Sequence, residues 1–241
     1  MTSSTKPLIH IGYPKTATTW LQRRLFRPKY GFTPVLNHIE IQMGIIAPTP
    51  FQYAPELMRE RYVAGLEKAG KRIPVISSEL LAGNIYCGGY NAKQNADRLH
   101  QTFPEAKILI VTREQKSLIR ALFKTLVQWG MPHSIDRLLS PHESFRFPQF
   151  NLDYFRFELI ATYYKSLYGD ENVLVVPYEL FAEDPGAFLG EIVSCSGSSA
   201  SVESIVESPD KIRRMNTTKP ISAIMFQRWF NYAFISNALN Y

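Results

Sequence analysis

Cysteine is nearly absent from this chain: Cys87 and Cys195 are the only two in 241 residues. They stand far apart, without the paired spacing of a zinc site or a disulfide framework, and read as free thiols of a reducing compartment. The five histidines, His10, His38, His100, His133 and His142, are equally scattered, so no metal site is expected. No apolar run approaches the roughly 20 residues of a membrane span. The polar start Met1-Thr2-Ser3-Ser4-Thr5-Lys6 is followed by no apolar leader core. Together these absences predict a cytoplasmic protein without stable membrane insertion. Basic residues form no block, no nucleic-acid motif stands out, and there is no internal repeat. The formal charge of +6 nevertheless asks for an anionic partner, and an anionic nucleotide satisfies it without nucleic acid.

What is present is an alternation of apolar strands and amphipathic helices. Short apolar runs occur at 8–11, 73–77, 107–112 and 173–176. The run Lys107-Ile108-Leu109-Ile110-Val111-Thr112 is continuous and β-branched, as a strand buried on both faces should be. Helices are predicted over 18–26, 92–103, 115–129, 153–168 (with Asn151 or Asp153 as N-cap) and 185–195, the last opened by Pro185. Ser-rich residues 194–208 read as a surface connection. The order predicts an α/β fold with a central parallel sheet flanked by helices, and the length suits one domain over 1–241. The aromatic run Trp229-Phe230-Asn231-Tyr232-Ala233-Phe234 near the end suits packing on the domain, a partner subunit in a homo-oligomer, or a C-terminal segment lacking here.

Parallel sheets place ligands beyond the carboxyl ends of their strands. The first strand is followed there by Gly12-Tyr13-Pro14-Lys15-Thr16-Ala17-Thr18-Thr19-Trp20-Leu21, a tight turn into a helix that opens with a lysine and three threonines. A helix start presents unpaired N–H groups and partial positive charge, so this segment suits a phosphate or sulfate group. The alternative is a turn whose threonines only cap the helix. The nucleoside-triphosphate loop G-x-x-x-x-G-K-[ST] does not fit, because Gly12 precedes Lys15 by three positions and no second glycine intervenes. The other strand ends carry Ser77, Ser78 and Glu79, then Arg113, then Tyr178 and Glu179.

The segment Pro14-Lys15-Thr16-Ala17-Thr18-Thr19-Trp20-Leu21 resembles the 5′-phosphosulfate loop of the sulfotransferases, Pro-Lys-(Ser/Thr)-Gly-Thr-Thr-(Trp/Ser)-Leu. Ala17 stands where the family has glycine, and an alanine with negative φ at a helix start would accommodate the change. Arg113 after the third strand is similar to the arginine that binds the 3′-phosphate in that family. The family's serine eight residues later is Ala121 here, with Ser117, Arg120 and Lys124 nearby. Residues 213–218, with Arg213 and Arg214, resemble the loop that closes over the nucleotide. Residues 163–173 and Tyr178-Glu179-Leu180-Phe181 resemble the helix and Tyr-Glu-x-Leu elements that come next in the family's order. Residues 27–72 and 133–150 match nothing in the pattern.

The resemblance implies a P-loop-like sulfotransferase fold. It also implies transfer of a sulfuryl group from 3′-phosphoadenosine 5′-phosphosulfate to an acceptor hydroxyl or amine, without a metal. Lys15, Thr16, Ala17, Thr18, Thr19, Trp20, Arg113, Ser117, Tyr178, Arg213 and Arg214 would bind the nucleotide, and Tyr178 and Trp20 would flank its adenine. Core packing is the alternative for those two aromatics. Lys15 would also stabilise charge on the leaving oxygen. Glu79 is the first candidate for general base, since carbohydrate-modifying members use a glutamate. A cap on the helix beginning near Leu80 is its other reading, and His38 and His133 are the histidine alternatives. The acceptor is expected to be a saccharide or other small molecule, its pocket built from 32–53 and 132–150 with stacking surfaces at Phe145, Phe147, Phe150, Tyr154 and Phe155. Two other classes stay open at this point: a small-molecule or nucleotide kinase, and a non-catalytic anion- or nucleic-acid-binding protein.

Overall fold

A computed structural model describes residues 6–140, 150–207 and 220–234. Along the chain run β1 (Leu8–Gly12), α1 (Thr18–Trp20), β2 (Phe32–Pro34), α2 (His38–Ile41), α3 (Pro55–Ala69), β3 (Ile73–Ser78), α4 (Ala92–Thr102), β4 (Lys107–Thr112) and α5 (Gln115–Gln128). Then come α6 (Ile135–Leu139), α7 (Phe157–Tyr168), β5 (Val173–Pro177), α8 (Tyr178–Glu183), α9 (Pro185–Ser196), α10 (Val202–Val206) and α11 (Ile221–Phe234). Wider π-turns at Leu21–Leu25 and Gln42–Ile46 continue α1 and α2.

The five strands form one parallel sheet in the order β2-β3-β1-β4-β5, the α/β architecture that the strand-helix alternation predicts. β1 is central: Leu8 is registered with Val75 of β3 on one side and with Lys107 of β4 on the other. Strand order reverses beside β1, so the crevice above β1 and β4 is the topological switch point where ligands of such sheets bind.

Successive side chains of a strand point to opposite faces, and both faces of this sheet are covered. Ile9, Ile11, Ile76, Ile108 and Ile110 pack in one cluster with Leu99 of α4, Leu118 and Leu122 of α5 and Tyr164 of α7. Leu8, Val75, Leu109 and Val111 pack in the other with Trp20, Leu21, Phe188 and Ile192. Every residue of β1 is buried, which is why it reads as an apolar run interrupted only by His10.

Several expected boundaries differ. Residues 27–72 hold the edge strand β2 and the 15-residue helix α3; both lie at the rim, and α3 carries exposed Leu57 and Val63 that blur its periodicity. The expected helix over 153–168 is two pieces, a 3-10 turn at Leu152–Phe155 and α7, broken at Arg156 (φ −89°, ψ 79°). Asn151 accepts from the Asp153 N–H, and the consecutive buried rings of Tyr154 and Phe155 anchor that turn apart from the helix. Residues 194–208 are not all connection: Ser201 caps α10, which buries Ile205. Among the described residues no helix is long and apolar enough to cross a membrane.

Candidate active site at the carboxyl edge of the sheet

The turn after β1 is where backbone, not side chain, is unusual. Lys15 (φ 65°) and Ala17 (φ 62°) both lie in the left-handed region, and they are the non-glycine residues that do so among those described. The expectation of a negative φ at Ala17 is therefore corrected. This position takes the conformation that suits the glycine of the resembled loop, at a cost of about 1–2 kcal/mol for an L-residue. Its methyl packs against the cluster containing Trp20 and Phe181, which offsets part of that strain. Left-handed residues alternating with others turn successive N–H groups toward one concavity, the geometry of backbone anion sites.

Further features shape this concavity. Ala17 makes no side-chain cap, and among the described residues no carboxylate caps the start of α1. Thr16 is buried, and its hydroxyl donates to the Tyr13 carbonyl at 2.5 Å, bracing the turn from inside. Thr18 is also buried, and among the described residues its Oγ1 has no hydrogen-bond partner. A β-carbon at Gly12 would strike that oxygen and crowd the His10 ring, so any larger residue there would have to displace those side chains. Lys15 itself is exposed, above the concavity's rim.

Arg113, one residue past β4, reaches across the switch point. Its Nη1 donates to the Lys15 carbonyl at 2.8 Å, its Nε donates to Ser117 Oγ at 3.0 Å, and its guanidinium lies 4.9 Å from the centre of the Tyr178 ring. Glu179 accepts from the Glu114 N–H at 3.0 Å, tying the turn after β5 to the turn after β4. Lys15, Arg113, Ser117 and Tyr178, chosen from sequence, are thus brought together at three adjacent strand ends. Trp20 is 5% exposed, its ring 4.9 Å from Phe181, whose ring lies 6.1 Å from Tyr178. It backs the Tyr178 wall from the core side. Arg213 and Arg214, like Phe145 and Phe147, lie outside the described residues.

Glu79 comes directly after β3, whose Ser78 is registered with Ile11, one residue before Gly12. Ser78, not Glu79, caps the short turn Glu79–Ala82, its Oγ accepting from the Leu80 N–H at 3.2 Å. The Glu79 carboxylate is left exposed, with no capping duty. Burial holds the Tyr154 phenol well above its ordinary range, and the neighbouring Tyr13 and then the Glu79 charge add to that. Tyr154 packs 5.0 Å from Tyr13, whose ring also meets Phe157 at 4.8 Å, giving an aromatic wall between Glu79 and the β1 turn. Phe150 and Phe155 extend that wall at 6.3 and 5.5 Å from Tyr154. His38 sits exposed at the start of α2, and His133 lies before α6.

Sequence reasoning gave His10 no role, and the structure gives it one beneath the turn. It is fully buried, and burial pushes its pKa down to about 3, so the ring is neutral near neutrality. Nδ1 lies 2.8 Å from Ser77 Oγ, which also accepts from Gln22 Nε2 at 3.1 Å. Ser77 thereby joins β3, β1 and the helical run after α1. The legible signal was the strand alternation, which puts His10 on the face of Leu8 and Gly12. Among the described residues no group of three or more His, Cys, Asp or Glu side chains gathers closely enough to hold a metal ion.

Compared as a sequence, the chain matches no protein-family profile and no curated protein. Compared as a structure, it is similar to a sulfotransferase from Alicyclobacillus acidocaldarius, with a TM-score of 0.60 and 19% identity over 94% of this chain and 93% of that one. It is also similar to the sulfotransferase domain from the curacin biosynthetic pathway, with a TM-score of 0.53 and 13% identity over 92% of this chain and 96% of that one. At these identities the likeness establishes the fold: a single sheet of five parallel strands flanked by helices, built as in sulfotransferase structures.

Proposed function

We propose that residues 1–241 form one sulfotransferase domain that takes a sulfuryl group from 3′-phosphoadenosine 5′-phosphosulfate and gives it to an acceptor hydroxyl or amine, a saccharide-type hydroxyl first among them. The observation that carries this reading is the β1 turn: two left-handed residues, an uncapped helix start and an orphaned Thr18 hydroxyl, held in register by Arg113 from the next strand end. The sulfotransferase fold supports the same reading.

The residues present fit the donor. Backbone N–H groups of 16–19 with the Thr18 and Thr19 hydroxyls would hold its 5′-phosphosulfate. Arg113 and Ser117 would address the 3′-phosphate, Arg113 keeping its Nη2 available beyond the two bonds described. Tyr178 would offer its ring to the adenine. The donor supplies the sulfuryl group and an anionic leaving oxygen. Lys15, exposed over the turn, stabilises the charge that gathers on that oxygen as the acceptor attacks in line. Glu79 takes the acceptor's proton, its carboxylate unencumbered by a cap, while half-buried Phe150, backed by the buried rings of Tyr154 and Tyr13, offers a face on which a sugar ring can stack.

Titration calorimetry with 3′-phosphoadenosine 5′-phosphate, 5′-AMP and ATP with Mg²⁺ tests the assignment. A charged hydrogen bond contributes about 1.5–3 kcal/mol, so loss of the 3′-phosphate should weaken binding roughly tenfold or more. Equal affinity for the first two nucleotides, or a preference for ATP with Mg²⁺, would sink it.

A further inference from the structure

A second pocket lies away from the strand ends, between α5, α6 and α11, with a volume of about 510 Å³, within the range of small-molecule sites. Arg120 and Lys124 enter it from α5 and Arg228 from α11, against the single carboxylate of Asp136. Among the described residues none of these four takes part in an ion pair. Its remaining walls are apolar at Phe123, Ile135, Ile221 and Met225, with Ser134 the one other polar residue. Phe123 is 5% exposed and anchors the floor in the main core, while the more exposed Met225 and Ile221 supply open apolar area.

The pocket is separate from the nucleotide end of α5. Along α5, Arg120 lies about 5 Å and Lys124 about 10 Å beyond Ser117. Three cations set against the one carboxylate of Asp136, with no ion pair to it or to another carboxylate among the described residues, over an apolar floor are complementary to one ligand chemistry. Desolvating them is unfavourable unless an anion replaces the water, and burying the floor is favourable only against hydrocarbon. Neither a simple inorganic anion nor a neutral apolar molecule uses both.

We propose that this pocket binds a single amphipathic anion, its acidic head group on Arg120, Lys124 and Arg228 and its hydrocarbon body against Phe123, Ile135 and Met225. The site is independent of the nucleotide, so the proposal does not depend on the sulfuryl-transfer reading. Calorimetry on the full chain with monomeric dodecanoate, dodecyltrimethylammonium and butyrate, each below its micelle concentration, tests it. Dodecanoate should bind with one-to-one stoichiometry, at least about tenfold more tightly than either other probe. Saturation with 3′-phosphoadenosine 5′-phosphate should leave that affinity unchanged. Arg228→Glu, at a half-exposed helix position, should weaken dodecanoate at least about tenfold with its melting temperature retained. Met225→Ser should weaken it too, without altering the preference for the anionic head. Equal binding of the two dodecyl probes, many-site binding, or competition with the nucleotide would overturn the proposal. So would retention on phosphatidylglycerol vesicles without monomer binding, which would make this face a membrane contact instead.

Discussion

The turns after β1 and β4 are neighbours with the same topology, strand into helix beside the switch point, yet they treat their helix N-termini in opposite ways. After β4 the chain closes its own helix: Glu114 accepts from the N–H groups of Lys116 and Ser117 at 2.9 and 2.6 Å, and those bonds hold its carboxyl below the usual range. After β1 the corresponding place holds Ala17, which has nothing to offer, and the backbone is twisted into the left-handed region on either side of Thr16. A helix dipole is common to both, so the dipole alone does not make a binding site. What distinguishes them is whether a side chain caps the helix start, as Glu114 does, or none does, as at Ala17.

That contrast is open to experiment. Its largest consequence concerns the third strand end. If the open turn serves sulfuryl transfer and Glu79 is the base, Glu79→Gln should slow turnover by about 10²–10⁴-fold. Nucleotide affinity and melting temperature should be retained, because the side chain is exposed and caps nothing. A Gln variant with most of its activity would move the role to a histidine such as His38 or His133.

Next comes the support beneath the open turn. His10 is held neutral with a pKa of about 3, against about 6.5 when unfolded, so the unfolded chain binds the extra proton between those values. Stability from this group is complete above about pH 6.5 and falls as the pH drops toward 3, by up to about 4 kcal/mol. Urea unfolding at pH 7 and pH 4 should show a steeper acid loss in the native chain than in His10→Gln. Parallel loss in both would mean that other groups govern acid sensitivity.

Lys15→Ala separates catalysis from shape at the same turn. Under the proposed function, transfer should slow on the order of a hundredfold while affinity for the desulfated nucleotide changes far less, because the lysine would act on charge that develops during reaction. A near-native rate would reduce the open turn to a structural element.

The smaller effects bear on the two termini directly. Glu114→Ala removes the cap of α5 and should lower the melting temperature by a few degrees at pH 7. Because the carboxyl's pKa is depressed, its contribution is present above the usual carboxylate range and lost as pH falls through the depressed value, so the variant should match the native chain in strong acid. Ala17→Gly should do the reverse at the other turn. Relief of left-handed strain outweighs the added freedom of the unfolded chain, for a net gain of about 0.5 kcal/mol and a rise of roughly 1–2 °C. A drop on thermal scanning would show that the methyl's packing against the Trp20 cluster outweighs its strain.

Much of this was legible in the letters, because the features concerned are local. Continuous apolar runs can only be strands covered on both faces, which is why β1, β3, β4 and β5 could be placed to within a residue or two. Lys15, Glu79, Arg113 and Tyr178 each stand just past a strand end, a placement readable from order along the chain without any knowledge of contacts. Edge elements were hidden for the converse reason. β2 has three residues, and α3 carries apolar side chains on its outer surface, so neither leaves a clean period.

Sequence by itself determined the parallel α/β layout and the cluster of lysine and hydroxyls at the first helix start, since both depend on residue type and spacing along one stretch. Only the tertiary structure decided the backbone sign at Lys15 and Ala17, for an alanine reveals nothing of φ until Arg113, 98 positions away, fastens the Lys15 carbonyl. It also decided that Ser78 caps the turn and leaves the Glu79 carboxylate without that duty, and that His10 is a neutral post beneath the turn. It alone gathered Arg120, Lys124 and Arg228 around one pocket. Each of these is set by partners distant in the chain, and spacing carries no record of which distant partner arrives.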